Sequence, residues 1–384
     1  MRAILMNKYT PLLEVDLEND TVIKVDKVLN RDMMPVLFRW QEVTAENVTA
    51  WLKKRRIPEN REGLKEARMN FRGFEEDEHM LSLSDQYWFK TKRADSWDKL
   101  NYFTNFYSQE PGKIFFMPWE ISGDDYKAPS PDRTTNGNLK KRWIQEEDKT
   151  SYLIKAGSII YHQEPLSEVM ASLMLEKLNL LPYVKYSLVV DGLRFCSRCR
   201  NFINENTEFV PAAHIYRKGR PENVSVYDYL IYLCGENGIT GAKDYLDKLI
   251  LIDHILCNTD RHLNNFGFIR SAQTGEFLGF APVFDSGSAY WGTKAVVEKA
   301  VNKLFADQED TVLKKAFENG TVHDYRVTKE KMDLLAEYPA ITTEKRKSIR
   351  KMIEEREAKL ERVEGETRGG GDGKKELQEV EFEL

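Results

Sequence analysis

Residues 258–288 read NTDRHLNNFGFIRSAQTGEFLGFAPVFDSGS, and the way this stretch pairs with itself decides the fold. Two apolar runs, FGFIR and FLGFAPVF, flank SAQTGE, whose Thr274-Gly275 pair suits a turn. Residues that face each other across a hairpin have positions summing to a constant. Asn265 and Asp285 average to 275, the expected turn, so the two are expected to meet at the hairpin's open end. An amide oxygen beside a carboxylate is a ligand set for Mg²⁺ held together with substrate phosphates. Asp260 precedes the hairpin by a short loop and is free to act on another atom.

Protein kinases divide their work in this way. An Asp in a D-x-x-x-x-N loop takes the nucleophile's proton, the Asn holds metal, and a later Asp holds metal bridging the phosphates. Asp260 to Asn265 fits D-x-x-x-x-N, and Asp285-Ser286-Gly287 stands where Asp-Phe-Gly would. The plainer alternative is that Asn265 and Asp285 cap a turn while Asp260 caps a helix end.

Such a site needs a cation for phosphates, an acid to hold that cation, and a loop of backbone N–H groups. Lys155 ends the short apolar strand SYLIKA. In the helix that follows, Leu166, Val169, Met170, Leu173 and Met174 form one apolar stripe, with Pro165 in the first turn and Pro182 beyond the end. Glu168 borders that stripe and can turn inward to Lys155. The loop TTNGNLKK (Thr134, Thr135, Asn136, Gly137, Asn138 and onward) precedes the strands. With one glycine it is neither a Walker loop nor the glycine-rich loop of most protein kinases, and an interdomain linker is the competing reading.

Further out, the chain has 384 residues, enough for two or three domains, with 41% hydrophobic and 31% charged residues. Its net charge of -5 gives no global reason to expect nucleic acid as a partner. No run of eighteen apolar residues indicates a membrane span, the first residues lack a signal-like apolar core, and four cysteines suit a reducing cytoplasm. The Cys196-x-x-Cys199 pair lacks the further ligands a zinc site needs.

Residues 1–121 are rich in aromatics and read as a mixed α/β accessory domain with its own core. Within them, the basic run WLKKRRIPENR (Trp51–Arg61) could touch phosphate but reads as a solvated helix end. A polar stretch, Ser122–Asn138, marks a boundary. A small lobe over 122–215 and a mostly helical lobe over 216–364 follow. The second lobe contains the buried helix GAKDYLDKLILIDHILCNTD and ends in a helix striped with Ile349, Ile353 and Leu360. Residues 365–384 read as a flexible acidic tail.

The order of these parts resembles the HipA-like serine/threonine kinases: TTNGNLKK, then YLIK, SEVMASLMLEKLNLLP, NTDRHLNNFGF and VFDSGS. DRHLNN is also similar to the motif of phosphoinositide 3-kinase-like enzymes. The resemblance covers about Thr134 to Gly292 and implies an α+β, two-lobed kinase fold with an added N-terminal domain. It further implies ATP and Mg²⁺ as cofactors, Asp260 as catalytic base, Asn265 and Asp285 as metal ligands, and Lys155, held by Glu168, on the phosphates. Thr134 stands near the place where the family loop can carry an autophosphorylated serine. A protein Ser or Thr hydroxyl is the expected acceptor, a regulatory protein partner is open, and no membrane or direct nucleic-acid contact is expected. A lipid or small-molecule kinase and a silent nucleotide-binding pseudokinase are the rival readings.

Overall fold

The computed structural model describes residues 1–18, 21–158, 163–290, 303–321, 325 and 342–369. The first sheet contains β1 (Arg2–Asn7), β2 (Thr10–Glu18), β3 (Thr21–Val28) and, after the helix α1 (Ala45–Arg55), β4 (Tyr87–Lys90). Its order is β3-β2-β1-β4 with every pair antiparallel. The Thr44 hydroxyl accepts from the Asn47 N–H and caps α1, whose Val48, Trp51 and Leu52 are buried with Phe38, Tyr87 and Phe89. Trp51 meets Tyr87 edge-on with ring centroids 5.4 Å apart. The aromatics of this region therefore build its own core, as the sequence suggests.

The basic run differs from its reading. Arg55 and Arg61 are buried, Arg55 in a salt bridge to Asp85 at 2.6 Å. Beyond α2 (Leu64–Asn70), Phe74, Phe115, Phe116 and Tyr126 pack on Ile154, Ala156 and Cys196. The segment after Arg55 thus covers one face of the next sheet, so Arg55 and Arg61 are buried while Lys53 and Lys54 stay exposed as the reading expects.

That sheet is antiparallel, ordered β5 (Lys141–Gln145), β6 (Ser151–Ala156), β8 (Arg194–Arg200), β7 (Tyr186–Asp191). The helix α3 (Glu164–Leu178) packs between this sheet and the main core, and Asn179 in the left-handed region closes it. Because α3 is covered from two sides, its buried positions include Ser167, Glu168, Ala171, Ser172 and Leu175 as well as Leu166, Met170 and Met174. Leu173, placed on the apolar stripe by its spacing, is exposed instead.

The third sheet, β11-β10-β9, comprises β9 (Thr207–Pro211), β10 (Gly267–Ser271) and β11 (Phe277–Phe280). Around it stand α4 (Val226–Glu236), α5 (Ala242–Leu256), α6 (Glu309–Glu318) and α7 (Thr343–Gly369). Leu249, Ile250, Ile252 and Leu256 of α5 share one core with Phe266, Phe268, Phe305, Leu313, Ile349, Ile353 and Leu360. Each fully buried Leu, Ile or Phe contributes about 1.5–3 kcal/mol, so α5 is a rigid floor for the loop that follows it. The last helix runs to Gly369, five residues past its expected end, and the rest of the expected tail, 370–384, lies outside the described residues, as does Gly292. Among the described residues, no helix is long and apolar enough to cross a membrane.

Candidate active site

The hairpin forms with its turn one residue, and so its pairing two residues, from the expected register. Phe268 faces Phe280, and the Ala281 N–H donates to the Gly267 carbonyl, which centres the turn on 274. The strand then leaves the hairpin. The Val283 N–H donates to the Pro182 carbonyl and the Val283 carbonyl accepts from Val184. Asn265 and Asp285 are therefore not ladder partners. The backbone at Asn265 is tied instead to the residue before Asp285 through Arg261, whose Nη1 donates to the Asn265 carbonyl at 2.8 Å and to the Phe284 carbonyl at 3.4 Å.

Arg261 and Asp253 are both fully buried and paired at 2.8 Å. Asp253 sits below the loop because α5 closes with Cys257 in the left-handed region and the Asn258 N–H returned to the Asp253 carbonyl. Asn258 donates its amide to Asp253 and accepts from the Ser288 hydroxyl. One buried polar chain therefore ties α5, the 258–265 loop and the Asp285–Ser288 segment together, a coupling the sequence reading missed. Its only sequence signal was the polar pair Asp253 and Arg261 bracketing a helix end.

The Asn265 amide accepts from the His262 N–H at 2.9 Å and donates to the Asp260 carbonyl. This closes the loop and leaves the Asp260 side chain exposed. Asp285 adopts φ +57°, a left-handed conformation tolerated by Asp, and its N–H donates to the Tyr186 hydroxyl.

Lys155 and Glu168 pair as expected, and the ammonium also meets Asp285 Oδ1 at 2.6 Å. Glu168 is 1% exposed and accepts a second hydrogen bond from the Ser197 hydroxyl. Burial disfavours the Lys155 ammonium, but Asp285 and Glu168 more than offset it and hold its pKa well above the ordinary value. Lys155, then Lys141, hold the Asp285 carboxyl far below the usual range, against its own burial. The Asp285 side chain is nevertheless 45% exposed, so part of its carboxylate remains open to a ligand.

Two further residues share the row. Lys141 on β5 and Ser197 on β8 are the cross-strand partners of Lys155, so all three project from one face. Lys141 belongs to the loop-strand junction quoted from the sequence, but only the register reveals that it faces Lys155. Burial, with Lys155 and Arg61 nearby, lowers its pKa to about 7. A Cβ added at Gly137, where φ is +101°, would stand 2.1 Å from Lys141 Nζ. Glycine thus lets the loop fold closely over that amine. Cys196 and Cys199 lie in separate clusters on either side of β8, both free and buried, which excludes a joined pair.

Thr134 and Thr135 are buried. The Thr134 hydroxyl donates to the Leu81 carbonyl at 2.7 Å, and that of Thr135 donates to Pro131 and accepts from the Trp143 indole. Neither hydroxyl is presented for modification in this arrangement. Asn136 and Asn138 bracket Gly137 at the loop tip. Among the described residues, no three His, Cys, Asp or Glu side chains cluster as a metal site.

A β-sheet lobe carrying a lysine–glutamate pair, joined to a helical lobe carrying a D-x-x-x-x-N loop and a later Asp, defines a two-lobed kinase fold. The comparison with solved structures bears this out. HipA in the Shewanella oneidensis MR-1 toxin–antitoxin complex of HipA, HipB and operator DNA superposes with a TM-score of 0.56 at 14% identity, over 97% of this chain and 100% of that one. The Helicobacter pylori proinflammatory kinase CtkA matches 62% of this chain and 94% of its own, with a TM-score of 0.49 and 15% identity. On the HipA superposition the chain has the HipA-like kinase fold. No protein-family model matches the sequence, and no curated protein does.

Proposed function

We propose that the chain is an ATP- and Mg²⁺-dependent phosphotransferase acting on a Ser or Thr hydroxyl of a protein. The observation that supports this most is the grip of Glu168 and Asp285 on one buried ammonium, Lys155. An isolated buried cation is costly; Glu168, fully buried, anchors the ammonium, and the partly exposed Asp285 is the partner that Mg²⁺ would engage so that Lys155 turns to a phosphate.

In this reading the loop Thr134–Asn138 lies over the phosphates, with Lys155 and Lys141 supplying positive charge. Asp285 and the Asn265 amide oxygen would hold Mg²⁺, which neutralises charge developing on the phosphates. The donors fit a hard cation, because Asp285 is an open carboxylate and Asn265 Oδ1 accepts only one described hydrogen bond. The acceptor oxygen forms its bond to the γ-phosphorus as the bond to the ADP oxygen breaks, and Asp260 receives the hydroxyl proton.

Phosphate transfer from labelled ATP tests the reading, with protein, lipid vesicles and sugars offered as separate acceptors. Asp260→Ala and Asp285→Ala should stay folded and lose transfer. Undiminished transfer in either folded variant refutes the assignment, and transfer confined to lipid or sugar refutes the acceptor class.

A further inference from the structure

The loop Thr134–Asn138 is held from behind by the N-terminal region. The Arg61 guanidinium donates from Nη2 to the Thr135 carbonyl at 2.6 Å and from Nε to the Gly137 carbonyl. The Glu62 N–H donates to the Asn138 carbonyl at 2.9 Å. Arg61 is 3% exposed and its guanidinium lies over the Phe115 ring, 5.8 Å from the centroid. The chain turns away at once through Gly63, where φ is +82° and a side chain would crowd Lys140.

Three loop carbonyls are thus turned toward Arg61 and Glu62. In a trans peptide the next N–H points opposite to the carbonyl. The N–H groups of Asn136, Asn138 and Leu139 therefore face away from Arg61, on the other side of the loop backbone. A loop that binds anions through its backbone needs that orientation. Arg61 also keeps one buried nitrogen, Nη1, without a hydrogen-bond partner, and its charge is felt by Lys141 on the site's cation row.

We infer that Arg61 is a positioning residue for the phosphate-binding loop: by fixing the carbonyls of Thr135 and Gly137 it aims the loop's N–H groups at a nucleotide, and so makes the N-terminal region part of the nucleotide site. This rests on the proposed reading of the loop as phosphate-binding. An arginine is required because one planar fork must reach two carbonyls, which a lysine cannot do.

The test uses the full chain as wild type, Arg61→Lys and Arg61→Ala. Hydrogen exchange is followed over residues 132–140 and over α5, with and without the Mg²⁺ complex of adenylyl-imidodiphosphate, and KM for ATP is measured beside kcat. Loss of a charge-assisted pair of hydrogen bonds should speed loop exchange about tenfold or more while α5 is unchanged. KM for ATP should rise about tenfold with kcat held within about twofold. Arg61→Lys, which keeps length and charge, covers the case in which Arg61→Ala does not fold. Unchanged loop exchange in Arg61→Lys, or exchange raised equally in α5, overturns the inference. A fall in kcat at constant KM overturns it as well. If the wild type neither binds the analogue nor transfers phosphate, the proposed function fails, and the inferred role in nucleotide binding falls with it, even where faster loop exchange shows that Arg61 braces the loop.

Discussion

Asp285 Oδ1 lies 2.6 Å from Lys155 Nζ, and Glu168 accepts from the same nitrogen. Sequence separation makes this a junction of three elements, the end of β6, the inner face of α3 and the turn after β11. Its parts differ in exposure. Glu168 is 1% exposed and Asp285 45% at the side chain, so Glu168 is a buried anchor for the ammonium while part of the Asp285 carboxylate stays open.

Lys155→Met should separate structure from chemistry. It leaves Glu168 buried with Ser197 as its remaining described partner, a loss of about 3–5 kcal/mol when one member of a buried pair is removed. Burial already raises the Glu168 pKa, so protonation moderates that loss. Lys155→Met/Glu168→Leu should recover most of the stability in urea unfolding and still lack phosphate transfer. A double variant that transfers at the wild-type rate would remove Lys155 from the chemistry.

Lys141 predicts a pH dependence. Its folded-state pKa, about 7, lies below its ordinary value. The unfolded chain therefore binds the extra proton between about pH 7 and 10.4, and the native state gains stability as pH rises through that window. A phosphate beside the amine acts the other way and raises the pKa. Nucleotide binding near neutral pH should then take up a proton, and affinity should fall as pH increases from 7 to 9. Titration calorimetry in two buffers of different ionisation enthalpy measures the uptake. Lys141→Gln should abolish both the uptake and the slope.

How much of this was legible is set by the range over which sequence carries information. Helix periodicity located α3 and α5, and the short apolar run SYLIKA located β6, because those signals are local. Glu168 was found because one helical turn fixes which residues flank the stripe. The hairpin turn was placed to within one residue, but its open end was not, since Val283 abandons β10 for the chain at Pro182–Val184. Arg61 and Arg55 were read as solvated, because a basic run carries no sign of the sheet that will cover it. Lys141 and Ser197 join the site only through strand register, which no local pattern in either strand specifies.

Arg270 predicts how the N-terminal region is fastened. It is fully buried and donates to Glu208 of the neighbouring strand β9, to Gly275 in the turn after β10, and to Asp32, Met34 and Tyr87 of the N-terminal region. Arg270→Met leaves Glu208, 2% exposed, without its cation, and should cost about 3–5 kcal/mol. Arg270→Met/Glu208→Leu should regain only part of this, since the carbonyls of Asp32 and Met34 remain without the donor. Urea unfolding measures both. Full recovery in the double variant would show that the carbonyl contacts contribute nothing.

Arg261 predicts a defect opposite in kind to that of Arg61. Its Nε and Nη2 hold the Asp253 carboxylate at 3.0 and 2.8 Å, while Nη1 holds the Asn265 carbonyl. Lysine cannot reproduce that fork, so Arg261→Lys frees the backbone between Asp260 and Asn265 without touching Lys155, Lys141 or the loop over Gly137. A misplacement near 1 Å at a reacting group costs about 10²-fold, and kcat should fall by about that factor. KM for ATP should stay within about twofold, because its binding charge lies on the other lobe. A raised KM at constant kcat would mean that Arg261 orders the nucleotide rather than the base, and that the two lobes do not divide binding and proton transfer between them.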